Sequence, residues 1–302
     1  LPQDVIERAR QLLTRFERHA PRNERQQLSL FGGGVPAELE EPTESVDALR
    51  ELLVTLDLDG NETPIRGLAA GNFRSPRFDP TGRILAFELD GSLWIRDLVL
   101  GRQDLLQEGV SYNAIWSTDG TRIAYGHRLS SNTGSQLLIR DASLVSPPET
   151  QLESAAFLVP SAWTPDGSTV LFSQVPDQNV TAAEIWTTNP VSPGTREAFL
   201  NAEGWSDGFA SLSPDGRWAA YESDEEGSNA VYVRTFPEPG EKIKNSEGGG
   251  IGARWSADGR RILYRSGDTT KVTQVRTAPT FEVVSHERLF VGPYRGVDLH
   301  PD

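Results

Sequence analysis

The pentad Gly204-Trp-Ser-Asp-Gly208 is the segment with the clearest potential for covalent chemistry. Its G-x-S-x-G spacing is that of a nucleophile elbow, where a serine lies on a sharp turn between a strand and a helix and a downstream histidine activates it. Here the phrase Leu212-Ser-Pro-Asp-Gly216 follows almost at once, and the later histidines, His286 and His300, lie in no α/β pattern. We therefore predict a loop between repeats, with Ser206 not catalytic, and no enzyme.

Metal and cofactor chemistry has little support in the residue types. The chain has no cysteine, and its four histidines form no H-x-x-x-H pair; they are His19, His127, His286 and His300. A weak calcium-loop spacing occurs at Asp57, Asp59, Asn61 and Glu62, but Gly60 and the missing twelve-residue frame favour a hairpin turn. Kinase signatures of the H-R-D and D-F-G type are absent. We predict no metal and no cofactor.

A motif suited to binding lies nearer the start of the chain, at Gln27-Leu28-Ser29-Leu30-Phe31. Two large apolar side chains in a polar segment need a partner to bury them. The motif is similar to the Q-L-[SD]-L-F pentapeptide by which bacterial replication and repair proteins hold the sliding clamp. This resemblance implies that Leu30 and Phe31 fill an apolar pocket and that Gln27 is a polar anchor. Packing on the chain's own helices is the alternative.

The composition limits the classes of partner. The 302 residues have a net charge of −14, so binding of nucleic acid through phosphate neutralisation is not expected. The sequence has no apolar run of about 18 residues, so no membrane segment is predicted. The first residue is Leu1, which suggests a fragment of a longer protein.

The elements that position these motifs form an internal repeat. A turn phrase ending in glycine occurs five times, at 78–82, 116–120, 163–167, 212–216 and 255–259, and its glycines are 38, 47, 49 and 43 residues apart. The Asp and Gly residues supply the turn between two antiparallel strands. We predict structural roles for Asp79, Gly82, Asp119, Gly120, Asp166, Gly167, Asp215, Gly216, Asp258 and Gly259.

Each turn phrase is followed by two strand-like runs, such as Arg217-Trp-Ala-Ala-Tyr221 and then Ala230-Val-Tyr-Val-Arg234. The first residue of the phrase, usually Trp, is expected to pack between neighbouring sheets. One such unit cannot bury both of its faces, so several must stack, and a ring removes the open edges.

This repeat resembles the WD-repeat-like propeller repeats of TolB, and it looks closest to propellers C-terminal to some bacterial serine/threonine kinases. Residues 212–264 show the resemblance best. It implies an all-β, six-bladed β-propeller with five complete blades. The incomplete sixth would combine Leu53-Val-Thr-Leu-Asp57 and the Asp59-Gly60 turn with Gly296-Val-Asp-Leu299, its last strands being cut off.

The N-terminal segment has a different organisation. Apolar positions through residues 5–16 have helical spacing, with Asp4 as a cap, so residues 1–20 are predicted to be a helix. Residues 21–45 are predicted to be a flexible linker, and residues 46–302 a short helix followed by the propeller. The segments Val5-Ile-Glu-Arg-Ala-Arg10 and Val46-Asp-Ala-Leu-Arg-Glu-Leu52 resemble the C-terminal tail of the DNA mismatch-repair protein MutS.

Three functions remain open from the sequence. The first is an interaction propeller that binds a protein, peptide or small ligand at the mouth of its channel. The second is a mismatch-repair tail that binds the sliding clamp, which would place the chain in the cytoplasm. The third is a sensor or accessory propeller of a kinase or peptidase, as in TolB-like or receptor-kinase proteins outside the cytoplasm.

Overall fold

A computed structural model describes residues 52–56, 62–129, 134–176, 182–201, 204–292, 294 and 298–301. Within these ranges the chain forms 22 strands and no helix, so this part of the fold is all-β. No helix of the described part could cross a membrane. The predicted N-terminal helices, the linker and Gln27 to Phe31 lie outside the described residues, as does the Asp59-Gly60 turn.

Five four-stranded antiparallel sheets form the blades of a propeller, and the four strands of each are consecutive in sequence. Blade 1 comprises β3 (Phe73–Phe78), β4 (Ile84–Leu89), β5 (Ser92–Asp97) and β6 (Gln103–Gln107). Blade 2 comprises β7 (Ser111–Trp116), β8 (Arg122–Arg128), β9 (Ser135–Asp141) and β10 (Glu149–Ser154). Blade 3 comprises β11 (Phe157–Trp163), β12 (Val170–Val175), β13 (Glu184–Thr188) and β14 (Glu197–Leu200). Blade 4 comprises β15 (Asp207–Leu212), β16 (Trp218–Ser223), β17 (Ala230–Thr235) and β18 (Ile243–Lys244). Blade 5 comprises β19 (Ile251–Trp255), β20 (Arg261–Ser266), β21 (Thr269–Arg276) and β22 (Glu282–Val291).

The first strands, β3, β7, β11, β15 and β19, contact one another in succession, so they surround the central channel. The second strands are apolar on both faces because a neighbouring blade covers each face. In β16, for example, Ala219, Ala220 and Tyr221 are fully buried. The core is therefore a series of apolar layers between adjacent blades, as where Tyr125 of blade 2 packs with Leu93 of blade 1.

The turn phrases connect the first and second strands of each blade, and their glycines have φ between +67° and +71°. In blade 2 the Asp119 carboxylate accepts hydrogen bonds from the Ser117 hydroxyl (2.6 Å) and the Thr121 amide (3.0 Å). These bonds lower the pKa of Asp119 to about 2. Ser117 Oγ in turn accepts the Arg122 amide at 2.9 Å. The turn is thus closed by its own side chains.

Blade 1 forms the same turn with the two side chains exchanged. Asp79 stands at the serine position and accepts the Ile84 amide at 2.6 Å. Thr81 stands at the aspartate position and donates its hydroxyl to Asp79 at 2.6 Å. The phrase Asp-Pro-Thr-Gly is therefore equivalent in hydrogen bonding to Ser-Thr-Asp-Gly.

Tryptophans that begin three of the turn phrases connect neighbouring blades. Each indole Nε1 donates to a backbone oxygen of the preceding blade: Trp116 to Arg77 (3.2 Å), Trp163 to Ile115 (3.3 Å) and Trp255 to Ser211 (3.2 Å). A large apolar ring and a directional bond thus occur in one side chain.

A second set of bonds between blades involves buried side chains six residues after the turn glycine, which we call the seam acceptors: Glu88, Ser173 and Glu222. Each accepts an amide from a bulge in the first strand of the next blade: Glu88 from Asn113 (3.0 Å), Ser173 from Phe209 (2.7 Å) and Glu222 from Gly252 (2.6 Å). The three donors have φ of 54°, 54° and 69°. The seam acceptors therefore satisfy buried amides that the sheet ladder cannot reach.

The seam between blades 2 and 3 is built differently. Pro160 occupies the bulge position of blade 3 and has no amide to satisfy. The matching position in blade 2 is Gly126, where an added Cβ would lie 2.2 Å from the Tyr112 ring. Here Ser135 Oγ accepts the Leu158 amide instead, at 2.8 Å.

The two ends of the described chain meet between blades 5 and 1. The strands β1 (Val54–Leu56) and β2 (Glu62–Pro64) form a separate two-stranded sheet. Leu56 packs with Leu263 and Val272 of blade 5, whereas Leu53 packs with blade 1. The described residues thus contain five four-stranded blades, in agreement with the five predicted complete blades, but they do not form the predicted sixth. The physical reason is that the sequence has five turn phrases, one for each of these blades, and that β1 pairs with β2 alone.

Candidate binding site at the channel mouth

A cavity of about 270 Å³ lies where the first strands reach their turn phrases, at one mouth of the channel. Equivalent positions, each two residues before the first polar residue of the turn, line it in succession: Arg77, Ile115, Ala162, Ser211 and Arg254. Asp298 of the last described segment lines it too. The fold therefore brings side chains from five blades and the chain end to one place.

Two arginines are the positive charges of this cavity, which Asp79 and Asp298 also line. Arg77 in β3 donates Nη1 to the Pro76 carbonyl at 2.7 Å, and Arg254 in β19 donates Nη1 to the Ala253 carbonyl at 2.8 Å. Burial, and secondly the charge of Arg77, lower the pKa of Arg254 to about 9. Burial also lowers the pKa of Arg77, although Asp298 and Glu88 oppose this shift. The cavity thus holds two positive charges that are costly to remove from water.

Asp298 is the acidic counterpart within the cavity. Its Oδ2 accepts the Phe78 amide at 2.7 Å. Removal from water raises the pKa of Asp298, and the attraction of Arg77 is the largest opposing effect. The neighbouring His300 ring meets the Phe78 ring edge-on at 5.2 Å, so this segment is fixed against blade 1.

The rest of the wall combines hydroxyl groups and indole rings. Ser117 and Ser211 stand beside Trp116 and Trp163. Such a wall can contact both the polar backbone and the apolar side chains of an extended peptide. Chemically, the mouth is suited to a ligand with an anionic group and adjacent mixed surface.

Ser206 has no elbow geometry in the structure. It precedes strand β15 directly, and no helix follows. Its Oγ accepts the Ala183 amide at 3.1 Å, and its own amide donates to Asp224 at 2.6 Å. Two of the described histidines bond elsewhere, His127 to Ser111 and His286 to Thr273. The pentad runs from the loop between blades 3 and 4 into the first two residues of β15.

Among the described residues, no group of three or more His, Asp or Glu side chains is arranged to hold a metal ion. The turn aspartates are used within their own turns, and the clamp-like motif lies outside the described part. The structure therefore brings together none of the motifs singled out for chemistry.

The residues that line the mouth were missed in the sequence because they belong to no motif. What these residues share in the sequence is their position within the repeat. Aligning the five repeats on their turn glycines places Arg, Ile, Ala, Ser and Arg in one column, two residues before the first polar residue of each turn. A column that varies in this way within a regular repeat marks an exposed or ligand-facing position.

Comparisons with known proteins agree on the fold. No family model matches the sequence, and no curated protein matches it. A putative TolB from Agrobacterium tumefaciens is similar over 80% of this chain and 90% of its own, with 16% identity and a TM-score of 0.62. TolB from Acinetobacter baumannii is similar over 83% of this chain, with 16% identity and a TM-score of 0.66; the match spans 63% of that protein. An oligogalacturonate lyase from Vibrio parahaemolyticus is similar over 80% of this chain and 71% of its own, with 16% identity and a TM-score of 0.58.

These similarities show a TolB-like β-propeller fold and nothing finer. The same architecture occurs in the lyase, which is an enzyme, so the fold by itself does not decide between catalysis and binding.

Proposed function

We propose that the propeller is a non-catalytic binding module that holds a protein or peptide at the channel mouth by a carboxylate group. One observation supports this most directly: Arg77 and Arg254, from blades that are not adjacent in sequence, both line one cavity. A guanidinium presents a planar set of donors that matches a carboxylate, so two of them favour an anionic group.

The charge balance of the mouth supports the same proposal. Among the acids near the mouth, Asp298 has the largest stabilising effect on the charges of both arginines, and its carboxylate already accepts the Phe78 amide. A further carboxylate would reduce the repulsion between Arg77 and Arg254 that contributes to the low pKa of Arg254. Binding would therefore relieve an unfavourable interaction of the free protein, in a cavity where charges are poorly screened.

The proposal can be tested with an array of fluorescent 15-residue peptides, in which each Asp- or Glu-containing peptide has a twin with Asn or Gln. Acidic peptides are expected to bind wild-type protein and to lose at least ten-fold in affinity in Arg254→Gln. Quenching of Trp116 and Trp163, which line the cavity, gives a second readout.

Arg102→Gln is a matched control, because Arg102 is 75% exposed and pairs with Asp104 on the outer strand side of blade 1. Binding that does not distinguish acid from amide twins, or that falls equally in both arginine variants, would contradict the proposal. Melting curves of both variants show whether the fold is retained.

A second candidate function rests on Gln27-Leu28-Ser29-Leu30-Phe31 and on the MutS-like segments around it. We propose that this segment binds a bacterial sliding clamp independently of the propeller. Burial of two apolar side chains at ~1.5–3 kcal/mol each, less the ordering cost, corresponds to weak binding, on the order of high-micromolar to millimolar. A labelled peptide of residues 22–36 should bind the clamp, and its Leu30→Ala, Phe31→Ala form should not. Equal binding by the two peptides would make the motif a chance match.

A further inference from the structure

The four most exposed large apolar side chains of the described residues stand on neighbouring loops. They are Val99 (76% exposed), Leu100 (70%), Val145 (87%) and Val191 (82%). Each lies between the third and fourth strands of its blade, in blades 1, 2 and 3. Three consecutive blades therefore each present an apolar side chain to solvent at an equivalent place, and we call these four residues the rim tips.

The rim tips lie on the same face as the channel mouth. In every blade the loop between the third and fourth strands is next to the turn phrase. The Leu98 amide donates to the Arg83 carbonyl at 2.9 Å, and the Ala142 amide to the Thr121 carbonyl at 2.8 Å. In blade 3, Thr188 pairs with Val170, just after the turn. The arginine-lined cavity and the rim tips thus form parts of one surface.

Side-chain caps hold these loops in place. Asp97 Oδ1 accepts the amides of Val99 (2.9 Å) and Leu100 (2.8 Å), and Arg83 fixes Asp97 from the other side. In blade 3, Asn189 Oδ1 accepts the Val191 amide at 3.0 Å. The apolar side chains are therefore directed outward before any partner arrives, which lowers the entropy cost of binding.

The matching loops of blades 4 and 5 direct their large apolar side chains inward. Phe236 of blade 4 packs against Phe199 with ring centroids 5.2 Å apart. Phe281 of blade 5 is 6% exposed and lies 5.4 Å from the Trp218 ring. Exposed acids, Glu238 and Glu241, follow Phe236 in its loop. Only part of this face, over blades 1 to 3, is apolar.

We propose that this face docks a protein partner off-centre, through a segment in which an acidic side chain is flanked by apolar side chains. The acid enters the mouth between Arg77 and Arg254, and the apolar flank covers the rim tips of blades 1 to 3. The inference rests on the proposed function for the acid. It adds the side of the ring on which the partner lies and the chemistry of the flanking residues, because the arginines of the mouth and the exposed rim tips lie on one face.

The test uses a displayed library of random 16-residue peptides selected on the wild-type protein. Enriched peptides are synthesised with a fluorophore, and their affinities are measured by anisotropy against three variants. The first replaces three rim tips (Leu100→Ser, Val145→Ser and Val191→Ser), and the second is Arg254→Gln. The control is Val284→Ser with Val291→Ser, two valines that are 52% and 58% exposed on the outermost strand of blade 5.

We expect enriched peptides to contain Asp or Glu next to apolar residues, and to bind the rim variant and Arg254→Gln at least ten-fold more weakly. The control should remain within two-fold of wild type. Peptides that depend on Arg254 but not on the rim would overturn this inference and leave the proposed function intact. Peptides that ignore Arg254 would overturn both, as would a selection that enriches no sequence.

Discussion

The buried carboxyl of Glu222, one of the seam acceptors, is expected to make the stability of the protein depend on pH. It is 6% exposed, and Arg254 and Arg265 are the charged groups that act on it. Burial raises its pKa from 4.5 to about 7, against the opposing bond from the Gly252 amide. The folded chain therefore binds this proton more tightly than the unfolded chain by about 3 kcal/mol.

The direction in which pH changes the free energy of unfolding follows from the direction of this pKa shift. Below pH 4.5 the carboxyl is protonated in both states. Between pH 4.5 and 7 the folded chain keeps a proton that the unfolded chain has released, so the free energy of unfolding decreases as the pH rises. In Glu222→Gln the acceptor for Gly252 remains and the titration is removed. Relative to wild type, the variant should therefore gain about 3 kcal/mol between pH 5 and pH 8.

Equilibrium urea unfolding, followed by tryptophan fluorescence at pH 5, 6, 7 and 8, measures this difference. The series ends at pH 8 because the pKa of Arg254 is about 9. Glu238→Gln, at an exposed loop position of the same blade, is the control and should follow wild type. Parallel stability curves for wild type and Glu222→Gln would show that Glu222 is not held in an environment that favours its neutral form.

Three further predictions concern the seams and the serine pentad. Ser173→Ala should lower the free energy of unfolding by about 1–3 kcal/mol, because the Phe209 amide would be buried without an acceptor. Urea unfolding measures this difference, and an unchanged free energy of unfolding would mean that water replaces the hydroxyl. Gly126→Ala should destabilise the protein by at least about 1–3 kcal/mol, because its Cβ would lie 2.2 Å from the Tyr112 ring, and an unshifted melting temperature would disprove that contact. A fluorophosphonate probe should leave Ser206 unlabelled, since its Oγ accepts a backbone amide rather than facing a histidine; stoichiometric labelling, read by intact mass, would overturn the non-catalytic assignment.

The repeat was readable from the sequence because its main determinants are local. A turn phrase such as Trp116-Ser-Thr-Asp-Gly120 contains its own hydrogen-bond partners, and the run that follows it is a short stretch of consecutive apolar residues. The TolB-like propeller expected from these signals agrees with the fold. The five complete blades were predicted, but the expected sixth blade was not found, because its closure depends on pairing between distant segments and β1 pairs with β2 alone.

The channel mouth was not predictable in the same way. Arg77 and Arg254 are 177 residues apart and become neighbours only when the ring forms. The seam acceptors were missed for a similar reason: Glu88 and Glu222 appear in the sequence as polar residues that end a short apolar run. The structure shows them buried because the next blade covers the face on which they lie. Both the channel mouth and the seam acceptors depend on contacts between residues that are far apart in the sequence.

The seam acceptors affect how this repeat could be rearranged. An acceptor belongs to one repeat, whereas the bulge that needs it belongs to the next, so neither side is complete alone. The pair of Gly126 and Pro160 follows the same rule, since the bulge position that has no amide to donate faces a position that has no side-chain acceptor. Exchanging single blades between propellers would separate such pairs and leave buried amides or carboxylates unmatched. The interchangeable module is therefore a unit that keeps one seam intact, with the acceptor strand of one blade and the bulged strand of the next. Chimaeras joined within a blade should tolerate exchange better than those joined between blades.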